Sequence, residues 1–384
     1  MKPVTFSVAA LVAVLWPAGH LVAARQGPAA GATPTGQKAE QPWPNARTIA
    51  ERKKDAENRR LFRSSDVLTF SLVADFKAVD RDRDPTSTKT FPATIVLPQA
   101  DGTTVSRPIQ IRGRGHSRRD PRICDFVPLR LEFAKGQMAG TELAGHSALK
   151  LGTHCGPGAV FEQYVLREYT AYKIFTVLTP QSFRVRLARA TYVNSSNQKP
   201  IATRFALFTE DDDDVARRME GRSIDRRRLL FKHVDPEYTT LMAVFEFMIG
   251  NTDLSIFALH NVRVVETRDG RLYPVPYDLD YSGLVNTRYA AVDPLFPIES
   301  VRERLYRGPC LPVAEFDPFF AKFRAAKAAI MALYDQLPSL TQTSRNESKA
   351  YLESFYKLIE EPGDVKRAFV DVCVRGGPAR QVGM

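Results

Sequence analysis

The feature that most limits how this chain can fold is an apolar segment that is interrupted by acidic and amide side chains. The stretch Pro236–Gly250 is apolar around most of its circumference, which predicts a buried helix that ends at Gly250. Four polar residues follow it within apolar surroundings: Asp253, Asn261, Asp278 and Asp280. Since a buried polar side chain is costly without a partner, we expect each of these four to have one.

Oxygen-bearing side chains near strand ends suit a divalent metal. Carboxylate and amide oxygens are the ligands that Mg²⁺ and Mn²⁺ prefer in proteins, and here they flank the strand-like run Val262–Thr267. Two readings stay open. Asn251-Thr252-Asp253 and Tyr277–Asp280 either build a metal and phosphate site, or form a helix-ending turn and a buried polar network without a ligand.

The hydrophobic patterns predict a β-rich first half and a more helical second half, and so an α+β fold. Alternating apolar residues predict strands near Val67–Val73, Ala93–Leu97, Val105–Ile111, Leu129–Phe133, Phe183–Leu187 and Ile201–Thr209. Helical spacing predicts helices over Phe161–Leu178, Pro236–Gly250, Phe316–Leu337, Thr341–Leu358 and Val365–Cys373.

The first residues predict export to the periplasm or the cell exterior. Lys2 precedes a long apolar stretch that ends in small residues, which is the layout of a signal peptide over residues 1–24. Residues 25–46 have the composition of a flexible linker, and the charged residues 47–64 predict a solvated lead-in helix. An uncleaved anchor is the alternative. No later segment has the roughly 20 apolar residues of a bilayer span, so no stable span is expected after cleavage.

Four cysteines are an even number in a chain that is expected to pass through an oxidising compartment, which predicts two disulfides. Three pairings are possible for Cys124, Cys155, Cys310 and Cys373. We favour Cys124 with Cys155 and Cys310 with Cys373, because each pair would staple one part of the fold. The spacing does not suit a cysteine metal site.

The net charge of +11 raises the question of whether the protein binds nucleic acid. The basic residues are scattered and do not form one tract interleaved with aromatic residues, so we expect no nucleic-acid partner. A basic surface also suits anionic envelope polymers, acidic proteins and phosphate-bearing ligands.

Three short motifs in the second half resemble those of a known family. The residues NTD at Asn251–Asp253, HN at His260–Asn261 and YDLDYSG at Tyr277–Gly283 resemble the active-site motifs of the spore-coat-protein-H (CotH) kinase-like family. Tyr277 stands where the family has Trp. The resemblance implies a two-lobed atypical protein-kinase-like fold over residues 65–376, with a β-rich N-lobe over about 65–210 and a helical C-lobe over about 211–376.

The same resemblance implies roles for the polar residues. Asp253 would orient or deprotonate an acceptor hydroxyl. Asn261 and Asp278 would hold Mg²⁺ or Mn²⁺ on the phosphates of ATP or a similar nucleotide, and Asp280 would assist them as a further metal residue. Phosphoryl transfer depends mainly on positioning and on charge neutralisation. A few oxygen ligands around a divalent metal can therefore supply much of the catalysis.

Nucleotide binding also needs cations. Arg112 and Arg114 lie in a Gly-rich loop after a strand, where amides and guanidinium groups can cradle phosphates. Lys150 with Glu168 is the expected pair of phosphate-binding cation and helix carboxylate. Arg130 is an alternative to Lys150 as the phosphate-binding cation.

We therefore expect an exported atypical kinase that transfers a γ-phosphoryl group to a hydroxyl of a protein or envelope polymer. One alternative is a non-catalytic structural or binding protein of the envelope or spore surface that retains the fold. Another is an adhesin that presents basic loops.

Overall fold

The structure is a computed structural model that describes residues 42–99, 101–225 and 228–374. From Pro44 onward these residues belong to one compact unit. The predicted signal peptide and residues 25–41 of the predicted linker lie outside the described residues. Among the helices described, none is both long enough and apolar enough to cross a membrane.

Eight α-helices occur in these ranges, and most of them match the expected positions. They are α1 (Ala46–Glu57), α2 (Phe76–Arg81), α3 (Ala159–Leu178), α4 (Asp212–Arg218), α5 (Pro236–Ile249), α6 (Asp317–Asp335), α7 (Gln342–Leu358) and α8 (Pro362–Val365). Helix α1 lies within the segment expected to form a lead-in helix, but it ends at Glu57 and a separate 3-10 turn follows at Arg60–Phe62. The helix expected at Val365–Cys373 is not a regular one, because α8 passes into a π-helical turn at Lys366–Val370.

Seven strands form a closed barrel. They are β1 (Leu68–Ala74), β2 (Phe91–Pro98), β3 (Thr104–Gly113), β4 (Leu129–Glu132), β5 (Ala148–Gly152), β6 (Val185–Asn194) and β7 (Pro200–Thr209), in the order β1-β2-β3-β4-β5-β7-β6. Neighbouring strands run antiparallel except β1 and β6, which pair in parallel from Leu68 with Ala188 to Ala74 with Asn194. This parallel pair joins the two ends of the sheet.

The closed barrel corrects the expected fold. The strands occur close to where the sequence placed them and the fold is α+β, but the predicted two-lobed kinase-like architecture is wrong. The physical reason is the pairing of β1 with β6, which removes the sheet edges of an open N-terminal lobe. Alternating apolar residues locate a strand without showing which strand lies beside it.

The core has two parts. Every second residue of β1 and β2 is buried, and these side chains fill the barrel together with residues such as Phe70, Ile95 and Phe208. A larger apolar cluster joins α3 and α5 to α6, α7 and the second sheet. Helix α5 is buried along most of its length, as its sequence predicts.

The second sheet positions the candidate site. It contains β8 (Arg222–Ile224), β9 (Val262–Glu266) and β10 (Leu272–Pro276), in the order β10-β9-β8 with antiparallel pairing. Val262 at the start of β9 pairs with Pro276 at the end of β10. The residues just before β9 and just after β10 therefore lie next to each other.

Two disulfides crosslink the described chain. Cys124 is bonded to Cys155, with a Cα–Cα distance of 4.7 Å, and Cys310 to Cys373, with a distance of 5.1 Å. The favoured pairing is confirmed. Disulfides of this kind persist in oxidising compartments, which is consistent with an exported protein.

Candidate functional site

A sharp turn at the end of α5 starts the candidate site. Gly250 has a left-handed backbone with φ of 67°, and a Cβ atom at this position would collide with the Tyr351 hydroxyl. Glycine is therefore required here. The side-chain oxygen of the next residue, Asn251, accepts a hydrogen bond from the Asp253 amide at 3.1 Å. This bond fixes the start of the loop that carries Asp253.

The loop folds back so that Asp253 meets the His-Asn pair. A two-residue bridge joins Ser255 and His260, with backbone N–O distances of 3.1 and 2.9 Å. His260 Nε2 lies 3.0 Å from Asp253 Oδ1, and Asn261 Nδ2 donates to Asp253 O at 2.7 Å and to Oδ2 at 3.0 Å. The Asp253 carboxylate is thus held in one orientation by two neighbours.

Asp278 lies beside Asn261. The Tyr277 amide donates to the Asn261 carbonyl at 2.9 Å, and the Asp278 amide donates to the Tyr172 hydroxyl of α3 at 2.7 Å. Both Asn261 and Asp278 have positive φ, 54° and 62°. Asn and Asp adopt this left-handed conformation more readily than other non-glycine residues do.

Asp280 is buried against a cation and a hydroxyl. Its Oδ2 atom lies 3.5 Å from Arg118 Nε and accepts a hydrogen bond from the Tyr289 hydroxyl at 2.9 Å. The same guanidinium approaches Asp278, with Nη2 4.0 Å from Oδ1. Arg118 therefore joins the two acidic residues that follow β10.

Glu168 of α3 belongs to the same group of charges. Burial, followed by the charge of Asp280, raises the pKa of the Glu168 carboxyl above its usual value, and Arg118 opposes this. Burial also raises the pKa of Asp280, again against the effect of Arg118. Arg114 is a further cation near Glu168. We call Glu168, Asp278, Asp280 and Arg118 the carboxylate cluster.

The two arginines expected in the Gly-rich loop have different surroundings. Arg112 Nε lies 2.9 Å from Glu132 Oε1 on the adjacent strand β4, and Arg130, the rival cation, lies 3.4 Å from the same oxygen. Arg114 instead follows β3 and its charge acts on Glu168 and Tyr172. Of this pair, Arg114 is therefore the residue whose charge acts on the carboxylate cluster.

The expected pair of Lys150 with Glu168 is not formed. Lys150 Nζ lies 2.5 Å from Asp212 Oδ1, and Asp212 Oδ2 accepts from Arg263 Nε at 2.7 Å. The prediction failed because an acidic residue at the start of α4 offers Lys150 a closer partner. Burial lowers the pKa of Lys150, and Asp212 opposes this.

Four contributors were missed by sequence reasoning: Arg118, Tyr172, Tyr289 and Asp212. Arg118 lies in the same arginine-rich loop as Arg112 and Arg114. The sequence marks this loop as a candidate site, but it does not distinguish Arg118 from the neighbouring arginines. Asp212 lies in an acidic run that reads as a helix start. The two tyrosines carry no sequence signal, since only the tertiary fold brings their hydroxyls to Asp278 and Asp280.

Two of the expected metal ligands remain suited to a divalent ion. Asn261 uses Nδ2 for its bonds to Asp253, so its amide oxygen is available, and the Asp278 side chain is 34% exposed. Asp280 is less suited, because Arg118 and Tyr289 engage its Oδ2 atom. Mg²⁺ commonly uses one or two carboxylates together with substrate phosphates. The residues fit an ion that arrives with phosphate.

A metal ion can also be held by protein side chains alone. Within the described ranges, no group of three or more His, Cys, Asp and Glu side chains is placed to hold an ion in this way. No protein-family model and no curated protein matches this chain. Functional assignment therefore depends on the geometry of the site and on its short motifs.

Proposed function

We propose that this protein transfers the terminal phosphoryl group of ATP or a similar nucleotide to a hydroxyl of a protein or envelope polymer. The observation that carries the proposal is the meeting of Asp253, Asn261 and Asp278 at the adjoining ends of β9 and β10. These are the residues that resemble the catalytic and metal-binding positions of the CotH kinase-like family. The two disulfides favour an extracytoplasmic setting.

Asp253 acts as the base in this proposal. The Asp253 side chain is 25% exposed. His260 and Asn261 hold its carboxylate in one orientation, as a positioned general base requires. It accepts the proton of the acceptor hydroxyl while that oxygen forms a bond to the γ-phosphorus. The bond from phosphorus to the bridging oxygen breaks, and the nucleoside diphosphate leaves with the electron pair.

Asn261 and Asp278 would hold Mg²⁺ or Mn²⁺ against the phosphates. The ion supplies charge neutralisation for the transferred group when it is bound. Arg114 and Arg118, from the loop that follows β3, add positive charge to the site. Asp280 and Glu168 hold Arg118 in place and serve as supporting residues.

A non-catalytic binding or surface protein is the second candidate, and one observation favours it. Arg118 already lies between Asp278 and Asp280, and Tyr289 already donates to Asp280. A buried network of this kind also holds a structure together without any ligand. Transfer activity separates the two candidates.

The experiment incubates the purified exported chain with γ-labelled ATP, Mn²⁺ and a general protein acceptor. We expect transferred label, and a loss of at least about a hundredfold in rate for Asp253→Ala, because a positioned base contributes about 10²–10⁴-fold. Asp269→Ala, an exposed aspartate in the turn between β9 and β10, is the matched control and should keep the full rate. Equal labelling by wild type and Asp253→Ala would remove Asp253 from the mechanism, and no label in wild type would favour the non-catalytic candidate.

A further inference from the structure

Arg307 donates two hydrogen bonds to the loop that carries Asp253. Its Nη1 atom lies 2.7 Å from the Thr252 carbonyl oxygen and 2.6 Å from the Leu254 carbonyl oxygen. These two carbonyls belong to the residues immediately before and after Asp253. One guanidinium nitrogen therefore holds the backbone on both sides of the candidate base.

The loop obtains its backbone hydrogen bonds from side chains. Between Asn251 and Leu254 the chain forms neither a helix nor a strand, so its polar backbone groups need other partners. The side-chain oxygen of Asn251 accepts from the Asp253 amide, and Asn261 Nδ2 donates to the Asp253 carbonyl. Arg307 bonds to the carbonyls on either side. Three side chains thus fix the backbone at Asp253.

The neighbours of Arg307 in the chain are tightly packed. The preceding Tyr306 is 1% exposed, and the centre of its ring lies 4.9 Å from that of Phe369. A Cβ atom on the following Gly308 would lie 2.5 Å from the Cβ atom of Ala243 in α5, which is closer than side chains tolerate. The backbone at Arg307 therefore has little room to move.

A disulfide also joins this segment to the residues that follow the π-helical turn. Cys310 lies three residues after Arg307 and is bonded to Cys373, which is 63 residues further along the chain. Beside this crosslink, the Val374 amide donates to the Gly308 carbonyl at 3.2 Å. The disulfide and this hydrogen bond anchor the segment from which the Arg307 side chain reaches the loop.

We propose that Arg307 is a positioning residue for phosphoryl transfer, because it fixes the backbone from which the Asp253 carboxylate reaches the acceptor hydroxyl. The inference rests on the proposed function, in which Asp253 is the base. Arg307 acts through the carbonyls of Thr252 and Leu254 rather than through the substrate. A misplacement of about 1 Å in a reacting group lowers the rate strongly, so the anchoring of this loop matters for catalysis.

The charge of Arg307 strengthens both hydrogen bonds. Burial lowers the pKa of the guanidinium to about 10, while the charges of Asp293 and Asp253 oppose this change. Arg307 therefore keeps its proton at neutral pH. Hydrogen bonds from a charged donor are shorter and stronger than those from a neutral donor, which agrees with the distances of 2.7 and 2.6 Å.

The test compares three variants of the full exported chain. Arg307→Met keeps an apolar stem but cannot donate to either carbonyl. Arg307→Lys can donate to both, because the two bonds come from Nη1 alone and an ammonium nitrogen carries three donors. Arg324→Met is the matched control, since Arg324 of α6 also donates to a backbone carbonyl, that of Ile359, at 2.9 Å. Should Arg307→Met fail to fold, Arg307→Gln takes its place.

The first readout is the steady-state rate of label transfer from γ-labelled ATP. We expect Arg307→Met to lower kcat by about tenfold or more and to leave the KM for ATP unchanged, because the base is misplaced while the nucleotide site is intact. Arg307→Lys should restore most of the lost kcat, and Arg324→Met should keep the wild-type value. A raised KM at constant kcat, or equal losses in Arg307→Met and Arg307→Lys, would overturn the proposal.

The second readout requires no activity. Hydrogen exchange, measured by mass spectrometry on peptides that cover residues 251–261, should be faster in Arg307→Met than in wild type, since the loop loses two hydrogen bonds. Peptides from β1 and β2 should keep their wild-type exchange. Unchanged exchange in residues 251–261, or faster exchange throughout the chain, would overturn the proposal. If the loop alone exchanges faster but wild type transfers no label, the hold of Arg307 on the loop stands and the proposed function fails.

Discussion

Two buried acidic regions, the carboxylate cluster and Glu246 on α5, differ in how the protein compensates the buried charge. In the carboxylate cluster, Arg118 lies between Asp278 and Asp280, and Tyr289 donates to Asp280. Glu246 of α5 is buried as well, with the side-chain amide of Asn251 beside its carboxyl group and no cation of comparable effect among the described residues. The first region carries its own counter-charge, while the second lacks one.

The difference shows that a raised pKa alone does not identify a function. Glu168 and Glu246 both have a raised pKa, and burial is the main cause for each. The charge of Asp280 adds to the effect at Glu168, whereas Glu246 has no charged neighbour of comparable influence. The partners of a buried carboxyl group, more than its pKa, therefore show how the protein accommodates it.

The largest expected effect is the removal of the counter-charge from the carboxylate cluster. Arg118→Met leaves Asp280 and Glu168 buried without their cation, and breaking a buried pair in this way costs about 3–5 kcal/mol. Urea unfolding at pH 7 measures the change. Arg122→Met, at an exposed arginine whose side chain is 87% accessible, should leave the urea midpoint unchanged, because exposed ion pairs contribute little. A loss below about 1 kcal/mol for Arg118→Met would mean that the cluster does not depend on this cation.

The opposite sign is expected for Glu246. Glu246→Met removes a desolvated carboxyl group whose pKa is raised from 4.5 to about 8, so the free energy of unfolding at pH 8 should rise by about 4 kcal/mol. The folded pKa of about 8 lies above the usual value of 4.5, so the folded state binds the proton more tightly than the unfolded state does. Wild type therefore loses stability as the pH rises from 4.5 to 8 and loses no more above that range.

The pH dependence supplies the control for this variant. Urea unfolding at a series of pH values should show the gain from Glu246→Met shrinking towards zero as the pH falls from 8 to 4.5. The variant's remaining pH dependence comes from other groups such as Glu168. A gain that stays constant over this range would show that packing of the methionine, rather than ionisation of Glu246, is responsible.

A smaller effect is expected from one hydroxyl of the carboxylate cluster. Tyr289→Phe removes the donor at 2.9 Å from Asp280 Oδ2 but leaves Arg118 in place, so the loss of stability should be about 1 kcal/mol. Tyr164→Phe is a matched control, because the described contacts of Tyr164 are ring contacts with Phe161 and Tyr289. If both variants unfold at the same urea concentration, the Tyr289 hydroxyl contributes nothing to the cluster.

Much of the secondary structure and part of the site could be predicted from the sequence. The apolar circumference of α5 predicts its burial, and the glycine after it predicts its end. The meeting of Asp253 with Asn261 follows from a short loop, since only eight residues separate them. These features depend on local spacing, which a sequence displays.

The features that were missed depend on contacts between distant segments. The pairing of β1 with β6 closes the barrel across more than a hundred residues, and the alternation of apolar residues does not encode it. Lys150 meets Asp212 instead of Glu168 for the same reason. Glu246 was also missed, because a single acidic residue within an apolar helix shows neither its burial partner nor the lack of one.

The binding of Mn²⁺ together with a non-hydrolysable ATP analogue tests the central claim most directly. The claim is that Asn261 and Asp278 form one site for a metal that arrives with phosphate. Electron paramagnetic resonance of free Mn²⁺ measures binding in the presence of the analogue, with wild type and Asp278→Ala compared at equal concentration. We expect wild type to take up Mn²⁺ only with the analogue and Asp278→Ala to bind at least tenfold more weakly. Equal uptake by both proteins, or none by wild type, would contradict the account.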